Sequence, residues 1–301
     1  MAKTFLITGA TGLIGRSITQ AIALRGDEFI AVSTRPADAA GKLPGAKKVI
    51  ALKELYLLKN EKIDAVINLA GANLGSKRWN RKTKKEFYDS RINTTGRIVE
   101  LISVMPQKPE VFLSASGVDY YGDCGDKDVY EDSPPANSFP ARLTRDWETE
   151  ARKAEQFGVR VVRVRTGFVL AKESEAVKKL VQPFRFFVGG PIGGGKQYVS
   201  WIHIDDITGI YLYSADNSSV NGAINAAAPN PVTMKELAVN IGRILHRPAF
   251  FPAPAFAVKI IAGEMAEVVL KGRKAMPKNL LDLGYHFRYV DVNKALKDVL
   301  E

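Results

Sequence analysis

An α/β fold, a doubly wound parallel sheet with a small and mostly helical C-terminal region, is what this 301-residue sequence predicts. Three observations point to it. Residues Thr4-Phe-Leu-Ile-Thr8-Gly9-Ala-Thr11-Gly12-Leu-Ile-Gly15 carry a short apolar run through three glycines, spaced G-x-x-G-x-x-G, into an amphipathic segment. Short apolar runs then alternate with helical patterns through the first two-thirds of the chain. Those runs are continuously apolar rather than alternating, as strands covered on both faces must be.

Taken in order, the candidate strands are residues 4–8, 29–33, 48–51, 65–69, 110–114 and 160–165, and the candidate helices are 13–25, 81–104 and 138–156. Gly26 suits the left-handed position just past the first helix. After Arg165 the rhythm changes. Residues 183–200 hold five glycines and two prolines, which predicts a long mobile loop of the kind that closes over a ligand. Within the wider segment of about 174–203, Gly193, Lys196, Trp201 and His203 are the candidates to face a substrate. Asp205 is a candidate N-cap for the next helix. From residue 233 onward the pattern is helical, over 234–246, 256–270, 278–283 and 292–300. The expected division is a dinucleotide domain over 1–230 and a small helical domain over 231–301.

Hydrophobic residues make up 46% of the chain, enough for a substantial core, and the net charge is +11. No nucleic-acid motif accompanies that charge. It therefore predicts an anionic small-molecule ligand and a basic solvated surface, with neither nucleic acid nor membrane as partner. The stretch 250–270 is broken by Pro252, Pro254, Lys259, Gly263, Glu264 and Glu267, so it is not a span. Cys124 is the one cysteine, which excludes an internal disulfide and suits a reducing compartment. The first strand begins at once, leaving no room for a signal peptide, and a cytoplasmic location is expected. No metal is expected.

The strand–glycine turn–helix order suits a dinucleotide pyrophosphate, because glycines let backbone approach the phosphates and a helix N-terminus offers free N–H groups. The second strand ends in Ser33-Thr34-Arg35 with no acid. An NAD site usually places a carboxylate there, whereas Arg35, with Ser33 and Thr34, can bind a 2′-phosphate, so NADP(H) is preferred over NAD(H). Small residues after Asn68, in Leu69-Ala70-Gly71, let a cofactor lie against backbone. Residues 77–85 hold six cations, a solvated helix start or an anion-attracting rim. Ser114 and Ser116 end the fifth strand, where Ser116 suits a hydrogen bond to a substrate oxygen and Tyr121 a pocket wall.

Together these pieces resemble the short-chain dehydrogenase/reductase superfamily, specifically its NAD-dependent epimerase/dehydratase branch. The resemblance rests on Thr8–Gly15, Asn68–Gly71, Arg91-Ile-Asn93-Thr-Thr-Gly96, Ser114-Ala-Ser116 with Tyr121-Gly122, Arg165-Thr-Gly167 and Trp201-Ile-His203-Ile-Asp205-Asp206. The tail, with Arg247-Pro-Ala-Phe-Phe-Pro, Gly263-Glu-Met-Ala-Glu and Gly284-Tyr-His-Phe-Arg-Tyr, is similar to a small C-terminal domain of unknown function in one subgroup, the epimerase family proteins. The resemblance implies a Rossmann-like fold, with Gly9, Thr11, Gly12, Leu13, Ile14 and Gly15 at the pyrophosphate. It implies Ala70 and Gly71 beside the cofactor, Asn93 near the active site and Ser116 as the catalytic serine. A homodimer through the helices at 81–104 and 138–156 is a further analogy.

One departure matters. The superfamily's general acid is a Tyr four residues before a Lys, and this chain holds no Tyr-x-x-x-Lys. Depending on register the pair becomes Phe139/Leu143 or Pro140/Thr144. Phe139, Leu143 and Trp147 make an apolar stripe instead. Two roles survive: an NADP(H)-dependent oxidoreductase or epimerase whose proton donor is Tyr120, Tyr121, Lys196 or His203, and a non-catalytic NADP(H)-binding redox sensor.

Overall fold

The computed structural model describes residues 2–301. Seven strands form the central parallel sheet: β1 (Thr4–Thr8), β2 (Glu28–Ser33), β3 (Lys48–Ala51), β4 (Ala65–Asn68), β5 (Val111–Gly117), β6 (Arg160–Thr166) and β7 (Gly222–Ala226). Their order is β7-β6-β5-β4-β1-β2-β3. Every neighbouring pair is parallel. The order reverses at β1, whose neighbours are β2 and β4, and a doubly wound sheet binds ligands outside the carboxyl ends at such a point.

Eleven helices accompany the sheet among the described residues. They are α1 (Leu13–Leu24), α2 (Pro36–Ala40), α3 (Arg81–Val104), α4 (Phe139–Arg152), α5 (Glu175–Arg185), α6 (Ile204–Asp216), α7 (Met234–Leu245), α8 (Ala255–Ala262), α9 (Ala266–Leu270), α10 (Lys278–Asp282) and α11 (Val292–Leu300).

Successive strand residues face opposite sides of the sheet. Phe5 and Ile7 of β1 pack with Ile67 and Leu113 beneath Ile18 and Ile22 of α1 and Ile207 and Ile210 of α6. Leu6 packs on the other side with Ile30, Val66 and Phe112 beneath Ile98, Leu101 and Ile102 of α3. Each such side chain contributes about 1.5–3 kcal/mol when fully buried. Covering both faces is why the strands read as unbroken apolar runs.

A third core lies beyond the sheet. Leu170, Val177, Val181, Phe184 and Trp201 pack there with Met234, Leu237, Ile241, Leu296 and Val299. Residues from before and after position 230 thus share one interior.

Several expectations need correction. The pattern reading omitted β7, a run of Gly-Ala-Ile-Asn-Ala with one large apolar residue, and it omitted α5. Pro183–Arg185 close α5, so the glycine-rich loop begins only at Phe186. The expected helix 256–270 is two helices, because Gly263 adopts φ +58° between α8 and α9. The helix expected at 138–156 tightens into a 3₁₀ turn at Lys153–Phe157. Gly26, at φ +74°, does end α1. Asp205 is not the cap of α6: His203 is, its Nδ1 accepting the Asp205 N–H at 3.2 Å.

Candidate functional site

The turn after β1 is built by exclusion of side chains. Gly9 adopts φ +71°, and a Cβ there would lie 2.8 Å from the Leu69 backbone. A Cβ on Gly15 would lie 2.3 Å from the Gly9 carbonyl oxygen, so only glycine lets α1 sit this close to β1. Gly12 donates its N–H to Gly9 O at 2.9 Å. As the N-cap of α1, Gly12 offers no side-chain cap, and the first turn carries no acid. The amides opening α1 at Leu13, Ile14 and Gly15 therefore keep a positive end free for an anion.

This turn is anchored to β4 by a buried polar chain. Thr8 Oγ1 donates to Asn68 Oδ1 at 2.6 Å, and Asn68 Nδ2 donates to Thr95 Oγ1 at 2.8 Å. Thr95 Oγ1 also accepts from Trp147 Nε1 at 2.9 Å and donates to Arg91 O at 2.7 Å. Four elements (β1, β4, α3 and α4) are fixed to one another by these bonds. Beside them a cavity of about 500 Å³ is lined by Leu13 and Arg16 of α1, Asn73, and Glu173 to Ala176 with Lys178 at the start of α5. Leu69, Ala70 and Gly71 run along the exit of β4, and Leu69 N–H donates to Thr8 O at 3.1 Å. A Cβ on Gly71 would lie 2.8 Å from the Arg91 guanidinium carbon. Burial pushes Arg91 down to about 10, with Asp119 opposing.

At the end of β2, Arg35 N–H donates to Ser33 Oγ at 3.1 Å. Thr34 lies between them. The Arg35 guanidinium is 81% exposed and makes one long contact of 3.8 Å, to the exposed Asp38, so its fork can still reach a ligand.

At the end of β5 the structure departs from expectation. Ser114 is buried, its hydroxyl 3.4 Å from Ala115 O. Ser116 Oγ donates to Glu148 Oε1 at 2.7 Å. Glu148 is gripped by Arg165, from Nε to Oε1 at 2.8 Å and from Nη2 to Oε2 at 2.9 Å. Arg165 Nη1 donates to Tyr121 OH at 2.8 Å, and Tyr121 OH donates to Asn225 Oδ1 at 2.7 Å. Burial pushes the Tyr121 phenol up to about 12 despite Arg165. Ser116 and Tyr121 thus belong to a buried ionic network, with Tyr121 only 3% exposed. Asn93 is exposed on α3, and Arg91 and Thr95 of the same helix make the contacts to Gly71, Ala72 and Asn68 instead.

A second cavity, of about 370 Å³, opens beyond β5 against the start of α4. Asp119, Asp123, Ser138 and Pro140 line one side, and Glu267, Lys271 and Arg273 the other. Arg273 pairs with Asp119. The Arg273 segment is stitched in place: Ser200 Oγ donates to Arg273 O at 2.8 Å, and Lys274–Ala275 pair in parallel with Asp128–Val129. On α4, Thr144 Oγ1 is spent on its own helix, donating to Ala141 O at 2.9 Å. Phe139 and Leu143 pack with Trp79 and Phe87. Neither register of the expected Tyr/Lys pair presents a titratable group.

The four loop candidates disperse. Gly193, at φ +63°, donates its N–H to Ala253 O at 2.8 Å, tying the loop to the tail. Lys196 is exposed. Trp201 is fully buried in the third core, with Nε1 donating to Asn230 O at 2.9 Å. His203 is buried against Tyr289, with ring centroids 3.8 Å apart. Burial holds its pKa below the ordinary 6.5, although Asp205 and Asp298 oppose. Its folded pKa lies below its unfolded one, so its stabilising contribution is present above about pH 6.5 and is lost as pH falls. The melting temperature of a His203→Gln variant is expected to fall less steeply than the parent's between about pH 7 and pH 5. Parallel curves in a pH series of melts would refute this.

Sequence reasoning missed Glu148 and the pairing of Asp119 with Arg273. The available signals were weak, since Glu148 is one of three acids on α4 and Arg165 one of three arginines on β6.

Comparison with known proteins fits this architecture. The NAD dependent epimerase/dehydratase family matches residues 5–227, and a domain of unknown function, DUF1731, matches residues 253–299. The chain is 40% identical to a chloroplastic epimerase family protein SDR39U1 homolog of Arabidopsis thaliana, over 99% of this chain and 87% of that protein. It is 34% identical to the epimerase family protein YfhF of Bacillus subtilis, over 98% and 97%. The crystal structure of human epimerase family protein SDR39U1 (isoform 2) with NADPH superposes with a TM-score of 0.90 at 35% identity, covering 98% of both chains. With the Rossmann-like sheet, the glycine turn and these matches together, the chain belongs to the NAD dependent epimerase/dehydratase family.

Proposed function

We propose that this protein binds NADP(H) along the carboxyl edge of its sheet and uses it in the oxidoreduction or epimerisation of a small molecule. One observation carries the reading: an uncapped helix N-terminus behind glycines whose Cβ atoms have no room. The NADPH in the human relative's crystal supports it. Gly9, Thr11, Gly12, Leu13, Ile14 and Gly15 would hold the pyrophosphate. Ser33, Thr34 and Arg35 would hold the 2′-phosphate, and Leu69, Ala70, Gly71 and the end of β5 at Ser114 would lie along the rest. When bound, the dinucleotide supplies hydride-transfer chemistry.

The substrate is assigned to the 370 Å³ cavity. Asp119 is the carboxylate there with Arg273 beside it. In this reading Asp119 takes the proton of a substrate hydroxyl as that carbon is oxidised, and returns it to the carbonyl oxygen in reverse. Arg273 orients it. Ser116 and Tyr121 act behind it, as parts of the network that holds β5, α4 and β6 together. The tail domain then completes the site rather than standing apart from it.

The cofactor is tested by calorimetry with NADPH and NADH. Tighter binding of NADPH is expected, and Arg35→Asp should erase that preference, a change on the order of 10- to 100-fold for one charge-assisted contact. Asp119→Asn should lower turnover of carbonyl compounds or nucleotide sugars by about 10²–10⁴ while leaving NADPH affinity unchanged. The sequestration of Ser116 and Tyr121 favours a second reading, a redox sensor without turnover. Tight NADPH binding with no oxidation against such a panel would select it.

A further inference from the structure

Two stretches of the chain contain no carboxylate. Residues 176–204 hold Lys178, Lys179, Arg185 and Lys196, and residues 237–263 hold Arg243, Arg247 and Lys259, with no Asp or Glu in either. These seven cations stand against a chain net charge of +11, in less than a fifth of the sequence. Lys178 lines the 500 Å³ cavity and pairs with Glu175, and the active-site reading uses none of the other six.

The fold brings the two stretches together. Phe251 N–H donates to Gly189 O at 3.1 Å, Ala253 N–H to Pro191 O at 2.9 Å and Gly193 N–H to Ala253 O at 2.8 Å. A Cβ on Gly190 would lie 2.1 Å from Phe251 O, so the seam closes only with glycine there. Outside the seam the side chains are large, apolar and uncovered. Phe186, Phe187 and Val188 on one strip, and Phe250, Phe256 and Ile261 on the other, are each more than half exposed. No residue of α8 is buried. The Arg247 guanidinium lies 4.4 Å over the Phe187 ring, setting charge beside the apolar surface.

Exposed aromatic and branched side chains with cations beside them are the chemistry of a surface that enters the headgroup layer of a bilayer. The missing carboxylates choose the occupant. Self-association through this face would set the cations of one copy against those of the other, a repulsive arrangement, whereas anionic headgroups complement them. We propose that the seam between residues 186–193 and 250–261 docks the protein peripherally on an anionic lipid surface. Such docking needs no spanning segment, and among the described residues no helix is long and apolar enough to cross a membrane. It revises the expectation, drawn from composition, of no membrane partner.

The test is co-sedimentation of the full chain with vesicles of phosphatidylcholine alone and with about 30% phosphatidylglycerol added. Binding only to the anionic vesicles is expected, with release in about 0.5 M NaCl as screening shortens. Phe250→Ser with Phe256→Ser and Ile261→Ser, and separately Arg185→Glu with Arg247→Glu, should each reduce partitioning at least about tenfold. The NADPH thermal shift reports whether each variant is folded. Equal or no partitioning to both vesicles overturns the proposal. So do folded variants that bind like the parent, or a concentration-dependent dimer in sedimentation velocity that the serine variant abolishes while no lipid binding is seen.

Discussion

Replacing Glu148 with alanine is expected to lower the melting temperature by on the order of 10 °C. The carboxylate is 4% exposed and accepts from Ser116, from two nitrogens of Arg165 and, at 3.4 Å, from Arg163. Burial opposes the charge of Arg165, but Glu148 outweighs it and raises the guanidinium above its ordinary value. Without Glu148 that cation stays buried, and removing one partner of such a pair costs about 3–5 kcal/mol. That is a large part of the roughly 5–15 kcal/mol that holds a typical domain together. At roughly 2–4 °C per kcal/mol the loss reads directly in a melt. A control separates charge burial from packing. Glu148→Leu combined with Arg165→Met leaves only the half-buried Arg163 without its partner and should recover most of the loss. An alanine variant that melts within about 1 °C of the parent would show that the network contributes nothing.

Gly15→Val carries the second large effect, this time on binding. Its Cβ would sit 2.3 Å from Gly9 O and 2.7 Å from the Ala10 Cα, both backbone atoms of the turn itself. Neither can move without shifting α1 away from β1. Overpacking of this kind costs about 1–3 kcal/mol of stability. The displaced amides would cost NADPH affinity at least about 100-fold, since several phosphate contacts at 1.5–3 kcal/mol each depend on them. Gly26→Ala is the instructive comparison. Gly26 is at φ +74° with nothing within 4 Å of a built Cβ. It should lose about 1 kcal/mol of stability through backbone strain and bind NADPH normally. Calorimetry on the two variants decides, and equal affinities would sink the claim that the glycine turn forms the pyrophosphate site.

The glycine turn was legible because its signal is local: strand, bend and helix lie within twelve residues, and each glycine has a backbone reason. β1 to β5 were legible because burial on both faces leaves unbroken apolar runs, and β6 because its valines recur between arginines. β7 was not, since Ala223, Asn225 and Ala226 carry little hydrophobic weight and their burial comes from neighbours far along the chain. The deeper polar chemistry was illegible for a related reason. Ser116 and Tyr121 have the same hydroxyls whether they face a ligand or a buried ion, and Glu148 decides which. Asp119 and Arg273 stand 154 positions apart. No periodicity connects them. Asn93 is exposed for a simpler geometric reason, since it lies about 200° around α3 from Arg91.

The third core has a bearing on where this protein can be divided. Trp201 and Phe184 come from the segment matched to the epimerase family, while Leu296 and Val299 come from the segment matched to the domain of unknown function. The intervening 228–252 itself sends Met234, Leu237 and Ile241 into that core, so a scissile point there divides a single apolar interior, not a hinge. Neither fragment would retain a partner for its exposed half. Recombinant pieces split there are expected to appear in inclusion bodies when made singly, and to regain a cooperative melt only when refolded as a pair.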